Sequence, residues 1–292
     1  MKPVLSVIEQ KMLNKHSFLN DYLSDHSLIR VEFPEICIYS WNVLNGEDEI
    51  ALNFTINPLF KQASPSQKKL ISKAFIMNNE RRFNGLINKM MNSIALESKP
   101  CIIFLQEIGP SILEIIMNHP KLNEYTKIVS EPDVVGFYSK DKTTFNLKNK
   151  QEYRVTLIPT SSLLYSIHSF PLKVEYKIPQ NVNIIAQQGI SSEKSYKSQL
   201  MIRVKVNNKV YHLMNVHANW VTNDVNFVEF FASFANLPNF IAVGDFNRSL
   251  EIFKDVWKEI GLKYLIPPKN TFISQMGTGT IKSAKIDQCL YN

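Results

Sequence analysis

Carboxylates, amides and histidines gather at the ends of four apolar runs in this chain. The runs end in Ser40–Asn45 (SWNVLN), Phe104–Glu107 (FLQE), Asn215–Trp220 (NVHANW) and Gly244–Asn247 (GDFN). In each, a strand-like stretch leads into a polar cluster, which is how a rigid layered frame presents short site-forming loops. Two further segments carry an Asp and an Asp-His pair. These are KIDQCLY, with Asp287, and LSDHSLIRVEF (Leu23–Phe33), with Asp25 and His26. Such side chains suit acid–base work and the binding of a hard cation. Asp245 and Asn247 are two apart, so in extended backbone they face the same way. An Asx turn closing the strand would use the same two side chains. A buried Asp beside a His stabilises imidazolium, and hence a cation next to an anion. No Cys or Ser is placed to form a covalent intermediate.

These groups need strands to hold them. Alternation predicts strands over Leu28–Phe33 and Ile36–Trp41, joined as a hairpin by a turn at Pro34-Glu35. Further strands are predicted at Cys101–Gln106, Val134–Ser139, Leu200–Val206, Val210–Val216, Phe240–Val243 and Lys285–Tyr291. Helical spacing marks Val4–Leu23, with a break near Asn14–Ser17, and also Ser66–Ile94, Ser111–Asn118 and the Phe-rich Val225–Phe234. Interspersed strands and helices, with several adjacent antiparallel strands, predict an α/β (α+β) architecture of two packed sheets with helices outside. No repeat, low-complexity tail or linker divides the chain, so one domain over residues 1–292 is expected.

Composition sets the background. The chain is 45% hydrophobic and 20% charged, an ordinary globular balance. No apolar run is long enough to cross a membrane as a helix, and the N-terminus lacks the apolar core of a signal peptide. A cytoplasmic monomer is expected, reaching another cell only by a signal-independent route. Three cysteines in apolar runs read as buried, reduced thiols. The net charge of +7 suits a polyanionic partner such as nucleic acid or an acidic lipid head group. Only six of the 33 basic residues are Arg, which favours backbone-phosphate attraction over base-specific readout. Lys-bearing segments at Ser64–Lys73, Lys140–Lys150 and Ser191–Lys197 could form a phosphate-tracking rim.

WN, LQE, the His of NVHANW, GDFN, the Asp of KIDQCLY and SDH together resemble the endonuclease/exonuclease/phosphatase (deoxyribonuclease I-like) superfamily. The resemblance covers roughly residues 23–292. It implies a four-layer sandwich of two mixed, mostly antiparallel sheets flanked by helices. It also implies a circular permutation. The motif series ends at Asp287, where the family's Asp-His strand would follow, whereas here that pair comes first. The helix expected over Val4–Leu23 would replace the loop before that strand.

By the resemblance, Glu107 is the main ligand of Mg2+ or Mn2+, with Asn42 and Asp25 in the same shell. Asp245 orients or deprotonates the attacking water, and Asn247 donates to the phosphate. His26, its tautomer fixed by Asp287, contacts the scissile phosphate, as does His217. The implied reaction is in-line displacement at phosphorus by an activated water. For the substrate, three readings stay open: a nuclease acting on DNA or RNA, a phosphatase acting on a phosphoinositide or other small phosphate ester, and a binding module that keeps only the fold. Arg248, next to Asn247, keeps the phosphatase in view. Tyr39, Trp41, Phe83, Trp220 and Phe246 lie beside the motifs and would serve to stack bases if exposed. Trp220 and Arg248 are the candidate substrate contacts.

Overall fold

A computed structural model of the protein describes residues 3–9, 26–43, 64–66, 79–138, 144–149, 151–173, 183–186, 196–275 and 281–292. In chain order, β1 is Val4–Glu9, β2 Leu28–Glu32 and β3 Cys37–Asn42, followed by α1 (Asn79–Ile94), β4 (Cys101–Ile108) and α2 (Pro110–Asn118). Then come β5 (Tyr125–Val129), β6 (Val134–Tyr138), β7 (Thr144–Asn149), β8 (Tyr153–Pro159), β9 (Leu163–Lys173) and β10 (Asn183–Ala186). The rest is β11 (Tyr196–Val206), β12 (Lys209–His217), α3 (Asp224–Ala232), β13 (Phe240–Asp245), α4 (Lys254–Glu259), β14 (Lys263–Leu265), β15 (Phe272–Gln275), β16 (Ile281–Ala284) and β17 (Asp287–Tyr291).

The first sheet runs β1-β2-β3-β4-β8-β5. The second runs β10-β7-β6-β11-β12-β13-β17-β14, with β9 also on β11. Most pairs are antiparallel; β3/β4, β12/β13 and β7/β10 are parallel.

Period-two alternation builds the layers. Ile29, Val31, Ile38, Ile102, Phe104 and Ile158 face Leu200, Ile202, Val204, Leu213, Ile241 and Val243 in a core between the sheets. The alternate residues of the first sheet, including Cys37, Tyr39, Trp41, Ile103 and Leu105, pack under Phe83, Leu86, Met90, Ile112 and Ile116 of α1 and α2. On the far side Met214, Val216, Phe240, Ala242 and Leu290 pack under Phe227, Phe231 and Trp257 of α3 and α4. Helix, sheet, sheet and helix therefore lie in order, which is the layering expected. Each buried Ile, Leu or Phe contributes about 1.5–3 kcal/mol. All three cysteines are buried free thiols.

The hairpin at Pro34-Glu35 is observed, with Val31 opposite Ile38. The helix expected from Val4 is not. Val4–Glu9 is a strand paired antiparallel to β2, with Leu5 opposite Val31 and buried in the inter-sheet core. Its branched Val4 and Val7 fit an extended edge, and the open side of β2 supplies the hydrogen bonds, so tertiary pairing overrides helical spacing. The remainder of that segment, residues 67–78 of the next expected helix and most of the three Lys-bearing segments lie outside the described residues. Among the described residues no helix is long and apolar enough to cross a membrane.

Candidate active site

The inner stripe of each central strand turns from apolar to polar at the same end of the sandwich. On β3, Ile38 gives way to Ser40 and Asn42; on β4, Phe104 gives way to Gln106. On β12, Leu213 leads to Asn215 and His217, and on β13, Val243 leads to Asp245. Strands running the other way begin there: β17 at Asp287, β8 next to Arg154, and β2 just after His26. Asn42, Gln106, Asn215, His217, Asp245 and Asp287 are all at least 98% buried. Gln106 ties the sheets together, donating to Ser40 Oγ at 3.0 Å and to Asn215 Oδ1 at 2.7 Å.

Five of the expected residues form one linked group. His26 Nδ1 lies 2.9 Å from Asp287 Oδ2, and His26 Nε2 lies 3.7 Å from Asp245 Oδ2. Asn42 Nδ2 donates to Glu107 Oε1 at 2.9 Å and to Asp245 Oδ2 at 3.2 Å. Trp41 Nε1 fixes the His26 carbonyl at 2.9 Å, and Phe272 packs on the imidazole at 5.1 Å. Thr271 joins the two halves of the His–Asp pair. Its carbonyl accepts from Ser27 N at 2.7 Å, and its hydroxyl accepts from Asp287 N at 3.1 Å. Asp25 lies outside the described residues.

Two carboxylate-bearing ends use unusual backbone. Glu107 has φ +56°, and the β4/β8 register shifts between Leu105 and Ile108. A bulge of this kind re-aims a side chain beside a site. Asn247 has φ +53°, which Asn tolerates better than most residues. Its N–H donates to Asp245 Oδ1 at 2.7 Å, and its amide donates to Asp245 Oδ2 at 3.1 Å and to Ala218 O at 2.8 Å. The Asx turn is therefore formed, and it holds the Asp245 carboxylate in place. Gly244 is required here: an added Cβ would meet Val216 O at 2.1 Å.

The His217 side carries a network that no motif marked. Its Nε2 is 3.3 Å from Glu107 Oε1 and 3.8 Å from Asp245 Oδ2, while its Nδ1 is 3.4 Å from Glu152 Oε1. Lys197 Nζ lies over the ring, 2.7 Å from Nε2 and 3.1 Å from Nδ1. Gln199 grips the His217 backbone, accepting from its N–H at 2.8 Å and donating to its carbonyl at 3.0 Å. Arg154, fully buried, pairs with Asp133 through Nη1 and Nη2, and its Nη2 also donates to the His217 carbonyl at 3.1 Å. Buried charge survives only when paired this way.

Burial first, and then Lys197, pushes the His217 imidazole down to about 4, so it is neutral near pH 7. Burial, opposed by His26 and reinforced by Asp287, pushes Asp245 up to about 7. That rise reflects negative charge crowded into a dry site, a deficit that a cation would relieve. Glu107, His217 and Asp245 offer ligand atoms within 4.8 Å of one another, as do His26, Asp245 and Asp287. Each group offers two carboxylate oxygens and one imidazole nitrogen, and the carboxylates suit a hard divalent cation.

Of the aromatics beside the motifs, Tyr39, Trp41, Phe83 and Phe246 are core, while Trp220 is 77% exposed. Arg248 does not face outward. It donates to Asp224 Oδ1 at 2.8 Å, to Thr222 O at 2.6 Å and to Asn219 O at 3.2 Å, and it stacks on Phe227 at 4.5 Å. Its guanidinium holds the loop that carries Trp220.

No family model matches the sequence, and neither does any curated protein. Solved structures do. A D. rerio TDP2 complexed with a single-stranded DNA product is 14% identical, covering 87% of this chain and 82% of that one, with a TM-score of 0.45. An endonuclease/exonuclease/phosphatase from Bacteroides vulgatus is 13% identical, covering 74% and 78%, with a TM-score of 0.44. The human Nocturnin catalytic domain with bound sulfate is 11% identical, covering 73% and 74%, with a TM-score of 0.42. At identities and scores this low, the likenesses carry no argument about what this chain does.

Proposed function

We propose that this chain is a metal-dependent phosphodiesterase, and specifically a nuclease that hydrolyses DNA or RNA. The observation that carries the proposal is the meeting of His26, Asn42, Glu107, Asp245 and Asp287, from both sheets, through contacts of 2.9 to 3.7 Å. A binding module would not need a buried His–Asp pair, a bulged Glu and a caged Asp at one point.

Glu107, with Asn42 and Asp245 beside it and Asp25 by the resemblance, would hold Mg2+ or Mn2+. When bound, such a cation neutralises the non-bridging and leaving oxygens of the phosphate. Asp245, locked by Asn42 and the Asn247 turn, takes the proton of the attacking water. Asp287 fixes His26 through Nδ1, which leaves Nε2 directed into the cluster as a donor to the phosphate. Neutral His217, steadied by Gln199 and Lys197, presents Nε2 beside Glu107. A fixed donor such as His26 Nε2 needs no rearrangement as charge develops. The water attacks in line and no covalent intermediate forms.

In the same proposal the chain is circularly permuted, with β2 standing where the family's last strand would. The tight β2–β3 hairpin and the His26–Asp287 contact support this. The phosphoinositide alternative drew on Arg248, whose guanidinium is engaged by the loop that carries Trp220.

The test is cleavage of labelled single- and double-stranded DNA and RNA with Mg2+ or Mn2+, with a phosphoinositide panel in parallel. Cleavage abolished by EDTA and by Glu107→Gln, and lowered about 100- to 1,000-fold by His26→Ala, is expected. Phosphate release from lipid with nucleic acid left intact would replace the nuclease by a phosphatase. Cleavage at the wild-type rate by His26→Ala would end the permutation proposal.

A further inference from the structure

The chain has three tryptophans. Trp41 and Trp257 are 4% and 0% exposed; Trp220 is 77% exposed, and Val225, close by in sequence, is 64% exposed. An indole left in water forgoes a large favourable burial, so a rigidly held exposed one is informative.

The backbone on either side of Trp220 is held in place. Ala218 N donates to the Asp245 backbone carbonyl at 2.8 Å, and Asn247 Nδ2 donates to Ala218 O at 2.8 Å, so the loop leaves from beside the Asp245 strand end. Asn219 Oδ1 accepts from Val221 N at 3.0 Å, and Thr222 N donates to Asn219 O at 3.1 Å, forming a turn around the tryptophan. Arg248 then clamps both shoulders of that turn, Asn219 O and Thr222 O, while lying on the buried Phe227 ring. Consecutive Cα atoms are about 3.8 Å apart, so the Trp220 Cα is within about 8 Å of the Ala218 Cα. The loop thus anchors the Trp220 backbone beside the end of β13 and leaves the indole open to solvent.

We propose that Trp220, on the loop clamped by Arg248, is a stacking platform for a nucleobase next to the scissile phosphate of a single-stranded nucleic acid. This rests on the phosphodiesterase proposal and narrows its substrate. An inositol ring has no π-face to stack, and bases in a duplex are already stacked on one another. Stacking is sequence-tolerant, in keeping with a Lys-dominated basic charge that tracks phosphates rather than reading bases. Arg248 is a positioning residue, acting through the loop.

Because Trp220 is the one exposed tryptophan, its emission reports on the platform directly. Full-length Glu107→Gln protein is titrated with a labelled single-stranded oligonucleotide, its duplex, and phosphoinositide vesicles. Saturable quenching by the single strand alone is expected. Trp220→Ala should weaken that binding by about 5- to 150-fold, with Trp220→Phe recovering most of it. Arg248→Ala should raise KM for the oligonucleotide with a smaller change in kcat, and should leave Trp220 more accessible to acrylamide. Unchanged emission at saturating single strand, equal quenching by duplex or vesicles, or wild-type binding by Trp220→Ala would each overturn the platform. Cleavage by the wild-type enzyme is scored separately. Cleavage without quenching removes the platform and keeps the nuclease, whereas no hydrolysis of any ester removes the nuclease itself.

Discussion

His26 Nδ1 and Asp287 Oδ2 are 2.9 Å apart in space and 261 residues apart in the chain. Their side chains are 5% and 1% exposed, so the contact is made out of reach of water. It joins the start of β2, in one sheet, to the start of β17, in the other. If Asp287 works by orienting His26, then Asp287→Asn should lower kcat about 10- to 100-fold. His26→Ala should lower it about 100- to 1,000-fold, as loss of a fixed donor does. The double variant should be no worse than His26→Ala, because residues acting as one unit are not additive. Multiplying losses in kcat on a labelled oligonucleotide would separate the two residues.

Much of this site was legible because its parts are local. Asn42, His217 and Asp245 each end an alternating strand, and alternation alone puts them on the inner face. The β2–β3 hairpin was legible for the same reason. What was illegible depends on partners far away in sequence. Nothing in EYR, around Arg154, shows that Asp133 will meet it in the core, or that Lys197 will lie over His217. The Glu107 bulge arises from register against β8, and Val4–Glu9 is a strand because β2 offers it an edge. Trp220 and Arg248 look alike as candidate contacts in sequence. Only packing shows that one is bare and the other occupied.

Arg154 tests the hidden network. Its guanidinium is fully buried on Asp133, and Asp133 also accepts from Ser198 N at 2.9 Å. Arg154→Met leaves an unpaired buried carboxylate and should cost about 3–5 kcal/mol in urea unfolding. Adding Asp133→Leu should recover part of that loss, since no orphan charge remains. A double variant as destabilised as the two single losses combined would mean that the pair is not coupled.

Lys197 should be felt in the titration of His217. Burial and the Lys197 ammonium together hold the imidazole near 4, below its ordinary 6.5. Lys197→Met removes the repelling charge and keeps the burial. The midpoint should therefore rise from about 4 yet stay below 6.5, as read from the ring resonances by NMR. A midpoint that stays put would mean that burial alone sets it and that Lys197 has another task.

Glu97 makes acid stability predictable at the rim of the first sheet. Arg30 Nη2 donates to it at 2.8 Å and Tyr39 Oη at 2.6 Å. The Arg30 bond first, with help from Tyr39, draws its carboxyl from 4.5 down to about 2. A folded-state value below the unfolded one means that folding favours the ionised form. The contribution is therefore complete above about 4.5 and is lost as the pH falls from there toward 2. Glu97→Gln keeps the shape and removes the charge. Wild type should be the more stable protein in urea at neutral pH, and the gap should narrow steadily as the buffer is taken toward pH 2. A gap independent of pH would show that Glu97 acts through packing and neutral hydrogen bonds, and that its ion pair with Arg30 adds nothing.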